Sequence, residues 1–179
     1  MFFFLQYYDR CHYFAQKSAN HKEAAVGRLL KLIASFYHAL AALHILRKKK
    51  SKTEMKDIAR KALKSLHDAS DLAPFNFKNK VEFIEAEFHR VEVAFRRCKE
   101  EEMHAKRMYA KSIASAEAAN LVHENALALE HAGHFCIEID DAATALRHFS
   151  DAKMKYEEWG STVRASQMEL AIAKAKYGS

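Results

Sequence analysis

The segments AKRMYAKSIASA (residues 105–116) and ALRHFSDAKMKY (residues 145–156) decide how this chain reads. Ala105, Tyr109 and Ala116 of the first recur forty residues later as Ala145, Phe149 and Tyr156. A small residue followed four positions on by a ring suits two closely packed helices. The small side chain lets the backbones approach, and the ring fills the next layer. Ala62, Leu66 and Ala69, followed by Pro74, form a looser third copy. Each copy falls on the second helix of a pair. A period of about forty residues with two helices per unit predicts an all-α fold of antiparallel helix pairs stacked as an α-solenoid.

Composition agrees. The chain has 179 residues, half of them apolar, with only four glycines and one proline. That is enough apolar surface for a core and too little Gly and Pro for a turn-rich sheet protein. The spacing predicts eight helices, over 3–18, 22–47, 53–71, 77–97, 100–118, 121–136, 140–158 and 162–176. Phe77, Val81, Ile84, Phe88, Val91 and Phe95 form one apolar stripe along the fourth, with Lys80, Glu85, Glu87 and Arg90 mostly off it. Two apolar rows on the second helix, Leu29–Leu32–Phe36–Leu40–Leu43 and Leu30–Ile33–Tyr37–Ala41, predict the most buried helix.

Boundaries follow from local chemistry. Ser51 and Glu54 have capping-box spacing for the third helix. Pro74 excludes its predecessor from the α region and ends that helix, and Asn76 is the expected cap of the next. Phe75 and Phe77 are expected to pack across this joint. Gly160 suits a left-handed helix stop after MKYEEW. Trp159 is expected to close the seventh helix against the eighth.

The apolar stretch from Ala24 to Leu46 carries Arg28, Lys31, His38 and His44, which favours a buried helix over a membrane span. The N-terminal MFFFLQYY lacks the basic flank of a signal peptide. Three widely spaced cysteines, Cys11, Cys98 and Cys136, are expected as reduced thiols, hence a cytoplasmic or otherwise intracellular setting.

Gly133, Ala145, Phe149 and Ala152 resemble the tetratricopeptide motif in spacing, as do Ala62, Leu66, Ala69 and Pro74 for its second helix. Leu129, Cys136 and Glu157 depart from that motif, so the repeats are degenerate. A second resemblance covers roughly residues 30 to 165. FYHALAAL (36–43), APFNFKNKVEFIEAE (73–87), AKRMYAKSIASA (105–116), ENALALE (124–130) and YEEWG (156–160) are similar, in this order, to a helical region of large signalling proteins. In that family the region follows an ATPase module, with a serine/threonine-kinase-like domain in front and GAF and histidine-kinase domains behind. The resemblance implies a connector arm and not the catalytic part. It also implies a fragment or relative of a larger protein; the helical pattern itself predicts a single helical repeat domain over 1–179, with unpaired end helices able to self-associate.

The residue patterns of several enzymes are missing. The chain has no GxxxxGK[ST] phosphate cradle, no HRD or DFG, and no Gly-rich boxes. No catalytic, cofactor-binding or metal-ligating residue is expected. Glu101 and His104 form one ExxH, whereas a di-iron bundle site needs two plus two further glutamates. Glu101 also sits at a helix start, where the dipole favours acid. His131 and His134 sit three apart, and Cys98 lies beside Arg96 and Arg97 without an identifiable partner base.

Two binding readings remain. If the first helix of each pair lines a concave face, its exposed positions are Glu87, Arg90, Ala94 and Arg97 on one unit and Leu127, Glu130, His134 and Ile137 on the next. Arg90, Arg97, Glu130 and His134 would then contact a charged peptide or a neighbouring domain. This makes the chain a non-enzymatic protein–protein interaction module. The alternative rests on the net charge of +6 and on the basic loop 47–52. There Arg47, Lys48, Lys49, Lys50 and Lys52 would contact nucleic acid or an acidic membrane. One cluster without interleaved aromatics makes nucleic acid the weaker reading, although the run also matches a nuclear-localisation pattern.

Overall fold

A computed structural model describes residues 8–20, 27–49 and 53–177. Among the described residues there are eight helices and no strands: α1 (Tyr8–Asn20), α2 (Arg28–Lys49), α3 (Thr53–Leu72), α4 (Pro74–Arg96), α5 (Lys99–Ala118), α6 (Val122–Glu138), α7 (Ala142–Glu158) and α8 (Thr162–Tyr177). Consecutive helices pack together. They run antiparallel, as Asn79 meets Ser112 while His89 meets Glu101, and Glu130 meets Tyr156.

The helices form two rows. In one row α2 meets α4 through Phe36 and Phe83, with ring centroids 5.9 Å apart. α4 meets α6 through Lys80–Glu124, Glu87–His131 and Arg90–Glu138, and α6 meets α8 through Glu130–Arg164. The α4–α6 partners rise together in sequence, so these two helices run parallel. α3, α5 and α7, called the outer row, each have one buried face, turned to the helices before and after them. Met55, Ala59, Ala62, Leu66 and Ala69 step by four and three along α3, as one helical stripe must. The repeated residues serve the same purpose further on. Ala105, Tyr109 and Ala116 are buried on α5, and Ala145, Phe149 and Tyr156 on α7.

α6 is enclosed on both sides, and residues 124–133 are all buried. Leu127, Ala128, Ala132 and Phe135 join the core of α2–α5, whereas Ala126, Leu129 and Cys136 join the core shared with α7 and α8. Gly133 of α6 lies directly under the ring of Phe149 of α7. A Cβ there would lie 2.6 Å from the ring of Phe149. This corrects the expectation for α2: its C-terminal half is buried, but Leu29 and Leu30 are exposed. The segment Leu29–Lys48 is long and apolar enough to cross a membrane, with mean hydropathy 1.6, and 44% of its most apolar window is buried within this fold.

Three helices stop identically. Asn120, Asp140 and Gly160 have φ of 54°, 63° and 84°. The N–H of each bonds back to Glu117, Ile137 or Glu157. The next N–H, from Leu121, Asp141 or Ser161, reaches the carbonyl of Ala116, Cys136 or Tyr156. These are Schellman closures at twenty-residue intervals. Gly160 thus plays its expected part.

The joint at Pro74 differs from its expectation. α4 begins at Pro74, with Ala73 as the cap and no side-chain capping bond. Proline suits the first helical position because its missing N–H has no intrahelical partner to lose. Asn76 therefore lies inside the helix, and its carbonyl accepts from Lys80 Nζ at 2.7 Å. Phe77 is buried, but Phe75 is 75% exposed and does not pack across the joint. Trp159 caps the end of α7, as expected, and its ring stacks on His123 at the start of α6, with centroids 5.4 Å apart. Ser51 lies outside the described residues.

Candidate functional site

The face that α4 presents to α6 is charged and buried. Glu87 Oε1 accepts from Tyr109 Oη at 2.5 Å and from Arg90 Nη1 at 3.0 Å, and lies 2.7 Å from His131 Nδ1. Burial opposes charge on Glu87. The Arg90 guanidinium, with His131 and Arg47, nevertheless holds its carboxyl well below the usual range. Arg90 turns its other nitrogens to Glu138, at 2.9 and 2.7 Å, and Glu138 also receives Arg47 at 2.5 Å. Burial and Glu87 together push the Tyr109 phenol well up, so it remains a donor.

The pattern recurs one unit on. Glu130 of α6 accepts from Tyr156 Oη of α7 at 2.6 Å and from Arg164 of α8. Burial raises the Glu130 carboxyl, and Arg164 with His131 more than offsets this, so it stays below its ordinary value. In both units a glutamate of the inner row takes a tyrosine from its own hairpin and a nitrogen-bearing side chain, His131 or Arg164, from the next inner helix. A third link joins Lys80 and Asn79 to Glu124, at 2.6 and 2.5 Å. Each of these charges is buried with a partner from another helix. They fix how each helix pair sits on the next.

Two clefts flank the network. A cavity of about 230 Å³ is lined by Tyr8, His44, Arg47, Lys48, Arg90, His131, His134 and Glu138. Tyr8 of α1 stacks on His44 there, with centroids 3.8 Å apart. Burial, with Arg47 and Lys48 beside it, lowers His44 to about 3, so its imidazole is neutral. The second cleft is a groove of about 730 Å³ between the ends of α6 and α7 and the length of α8. Ile137, Phe149, Met168 and Ala171 line it together with Leu170, and Asp140, His134 and Lys174 bring polar groups to it. Ile137 and Leu170 are 40% and 64% exposed.

The structure separates the expected peptide-contacting residues. Arg97 is exposed and ends α4 with φ 48°. His134 lies between the two clefts and contacts Phe149 edge-on at 5.0 Å. Arg90 and Glu130, by contrast, are 2% and 1% exposed, and Glu87 and Leu127 are equally buried. They face the neighbouring inner helix instead of an open concave surface. The correction has a simple cause: charged residues were read as solvated, but each has a charged partner 34 to 48 positions away, which local spacing does not reveal. The basic loop is corrected too. Arg47, Lys48 and Lys49 continue α2, and Arg47 is committed to Glu138. Lys50 and Lys52 lie outside the described residues. Cys11, Cys98 and Cys136 are free thiols, and burial pushes that of Cys136 up.

No protein-family model, curated protein or solved structure matches this chain.

Proposed function

We propose that this chain is a non-catalytic helical-repeat module that binds a helical segment of another protein in the groove along α8. It would serve as a connector within a signalling assembly of the ATPase or kinase type. In this reading the two rows of helices are a tetratricopeptide-like α-solenoid with a unit near forty residues. The single observation that carries the reading is the groove itself. It has a volume of about 730 Å³ and a lining that mixes apolar residues, Ile137, Phe149, Met168 and Leu170 among them, with polar ones, and no described segment of the chain fills it. An amphipathic helix placing two or three apolar anchors over Ile137, Met168 and Leu170 would cover it, with Asp140 and Lys174 setting orientation by charge. The buried charges support a binding role over a catalytic one, because every ion of the network is occupied by another. The connector assignment rests on the residue strings between 36 and 160 that resemble the signalling family.

The test is site-specific photo-crosslinking. A photoreactive residue at Leu170 should capture a defined partner in cells, whereas the same residue at Lys111, exposed on α5, should not. The purified partner should then bind the whole chain, and Leu170→Asp should weaken that binding at least about tenfold. Equal capture from both positions, or unchanged affinity in Leu170→Asp, would overturn the reading.

A further inference from the structure

Helices α4 and α5 bring together a group that neither helix holds alone. Glu101 and His104 are one turn apart on α5 and share the face turned towards α4. His89 of α4 comes in opposite them, because the hairpin is antiparallel and its connection is only Arg97 and Cys98. His89 Nδ1 lies 2.6 Å from Glu101 Oε2, and the His89 and His104 rings are 5.1 Å apart between centroids. One donor atom from each of the three residues falls within 4.8 Å of the other two. His89 and Glu101 are 32% and 29% exposed, so water and ions reach them from one side.

We propose that His89, Glu101 and His104 bind a first-row divalent cation of the zinc class. The donor set argues for this class. Two imidazoles and one carboxylate suit Zn²⁺ and its neighbours, whereas Mg²⁺ and Ca²⁺ need mostly oxygen ligands. Three protein ligands with a fourth position left to water is a familiar zinc arrangement. Around a tetrahedral ion, ligand atoms sit about 3.4 Å apart. The His89–Glu101 contact would open by under about 1 Å to admit the ion, with His89 in the neutral tautomer that carries its proton on Nε2 and offers Nδ1. The other close contacts do not compete for these ligands. Nearby Glu92 is taken by Lys56, and Arg96 turns towards that same Glu92. A bound ion would pin the C-terminal half of α4 to the first turns of α5. This is independent of the groove on α8 and of what binds there.

The test uses the full chain freed of metal with a chelator. Calorimetric titration with Zn²⁺ should give one equivalent, with a Kd of roughly micromolar or tighter. Co²⁺ should give a visible absorption band of low-symmetry coordination. His89→Gln and His104→Gln should each loosen binding at least about tenfold. His67→Gln, exposed on α3, should leave it unchanged. Circular dichroism checks that each variant is folded, and Zn²⁺ should raise the melting temperature of the parent chain but not of His89→Gln/His104→Gln. Absence of saturable binding would overturn the site. So would one-equivalent binding that persists undiminished in the folded double variant, since other histidines would then hold the ion.

Discussion

Glu87 and His131 are 44 positions apart in sequence and 2.7 Å apart in space, with less than a tenth of either side chain exposed. Their contact is one rung of a ladder of charges between α4 and α6. Each rung joins residues of successive helix pairs, so the ladder sets the register of the stack.

Removing Glu87 therefore strips the buried Arg90 of one of its two carboxylates. Glu87→Ala should destabilise the fold by about 3 kcal/mol, since Tyr109 and His131 lose their carboxylate partner and Arg90 keeps only Glu138. Glu85→Ala, two positions away, is the control. Glu85 is 31% exposed and meets only the half-exposed His67, at 3.4 Å. Its loss should be within about 0.5 kcal/mol. Urea unfolding of both variants checks the contrast, and equal effects would argue against a buried ladder.

Two glycines should fail for different reasons. A Cβ at Gly133 would press into Phe149, which is only 1% exposed and has little room to move. Gly133→Ala gains helix propensity of about 1 kcal/mol, but overpacking should outweigh it and leave a net loss of about 1–2 kcal/mol. Around Gly160 there is open space, and only its φ of 84° resists a side chain. Gly160→Ala should cost about 1 kcal/mol, and Gly160→Asn less, because Asn tolerates the left-handed region. Thermal melts of the three variants separate contact from conformation.

Acid should weaken the fold before any carboxylate titrates. Burial lowers His38 and His134 to about 4, and His44 to about 3, from 6.5. Burial also lowers His123 and His148. Between the two limits the unfolded chain binds more protons than the folded one. Stability is therefore full above the unfolded value and falls as pH drops through 6.5 towards 4. Glu87, Glu130 and Glu138, held below 4.5, extend the loss in the same direction at lower pH. From about pH 7.5 to about pH 5 the melting temperature should fall by roughly 5 °C or more. A flat profile over that range would contradict neutral, enclosed histidines.

The outer row was open to sequence reading because each of its helices has one buried face. Ala145, Phe149 and Tyr156 repeat Ala105, Tyr109 and Ala116, and all six are buried as their spacing requires. The inner row was harder. α4 and α6 are buried on two faces, and one of those faces is charged. A stripe search places Phe77, Val81 and Ile84 correctly and leaves Lys80, Glu87 and Arg90 outside, since only a distant partner makes their burial tolerable. The metal-type cluster escaped for a similar reason. Glu101 and His104 are visible as a local pair, but His89 joins them only once the hairpin has closed.

Glu130 and His131 are consecutive on α6, yet one answers to Arg164 of α8 and the other to Glu87 of α4. A helix turns as a rigid body, so α6 cannot rotate to change one contact and leave the other untouched. The neighbours on its two sides are in effect geared together. If the proposed occupant of the groove displaces α8, the first helix to feel it is α6, and through α6 the contacts to α4.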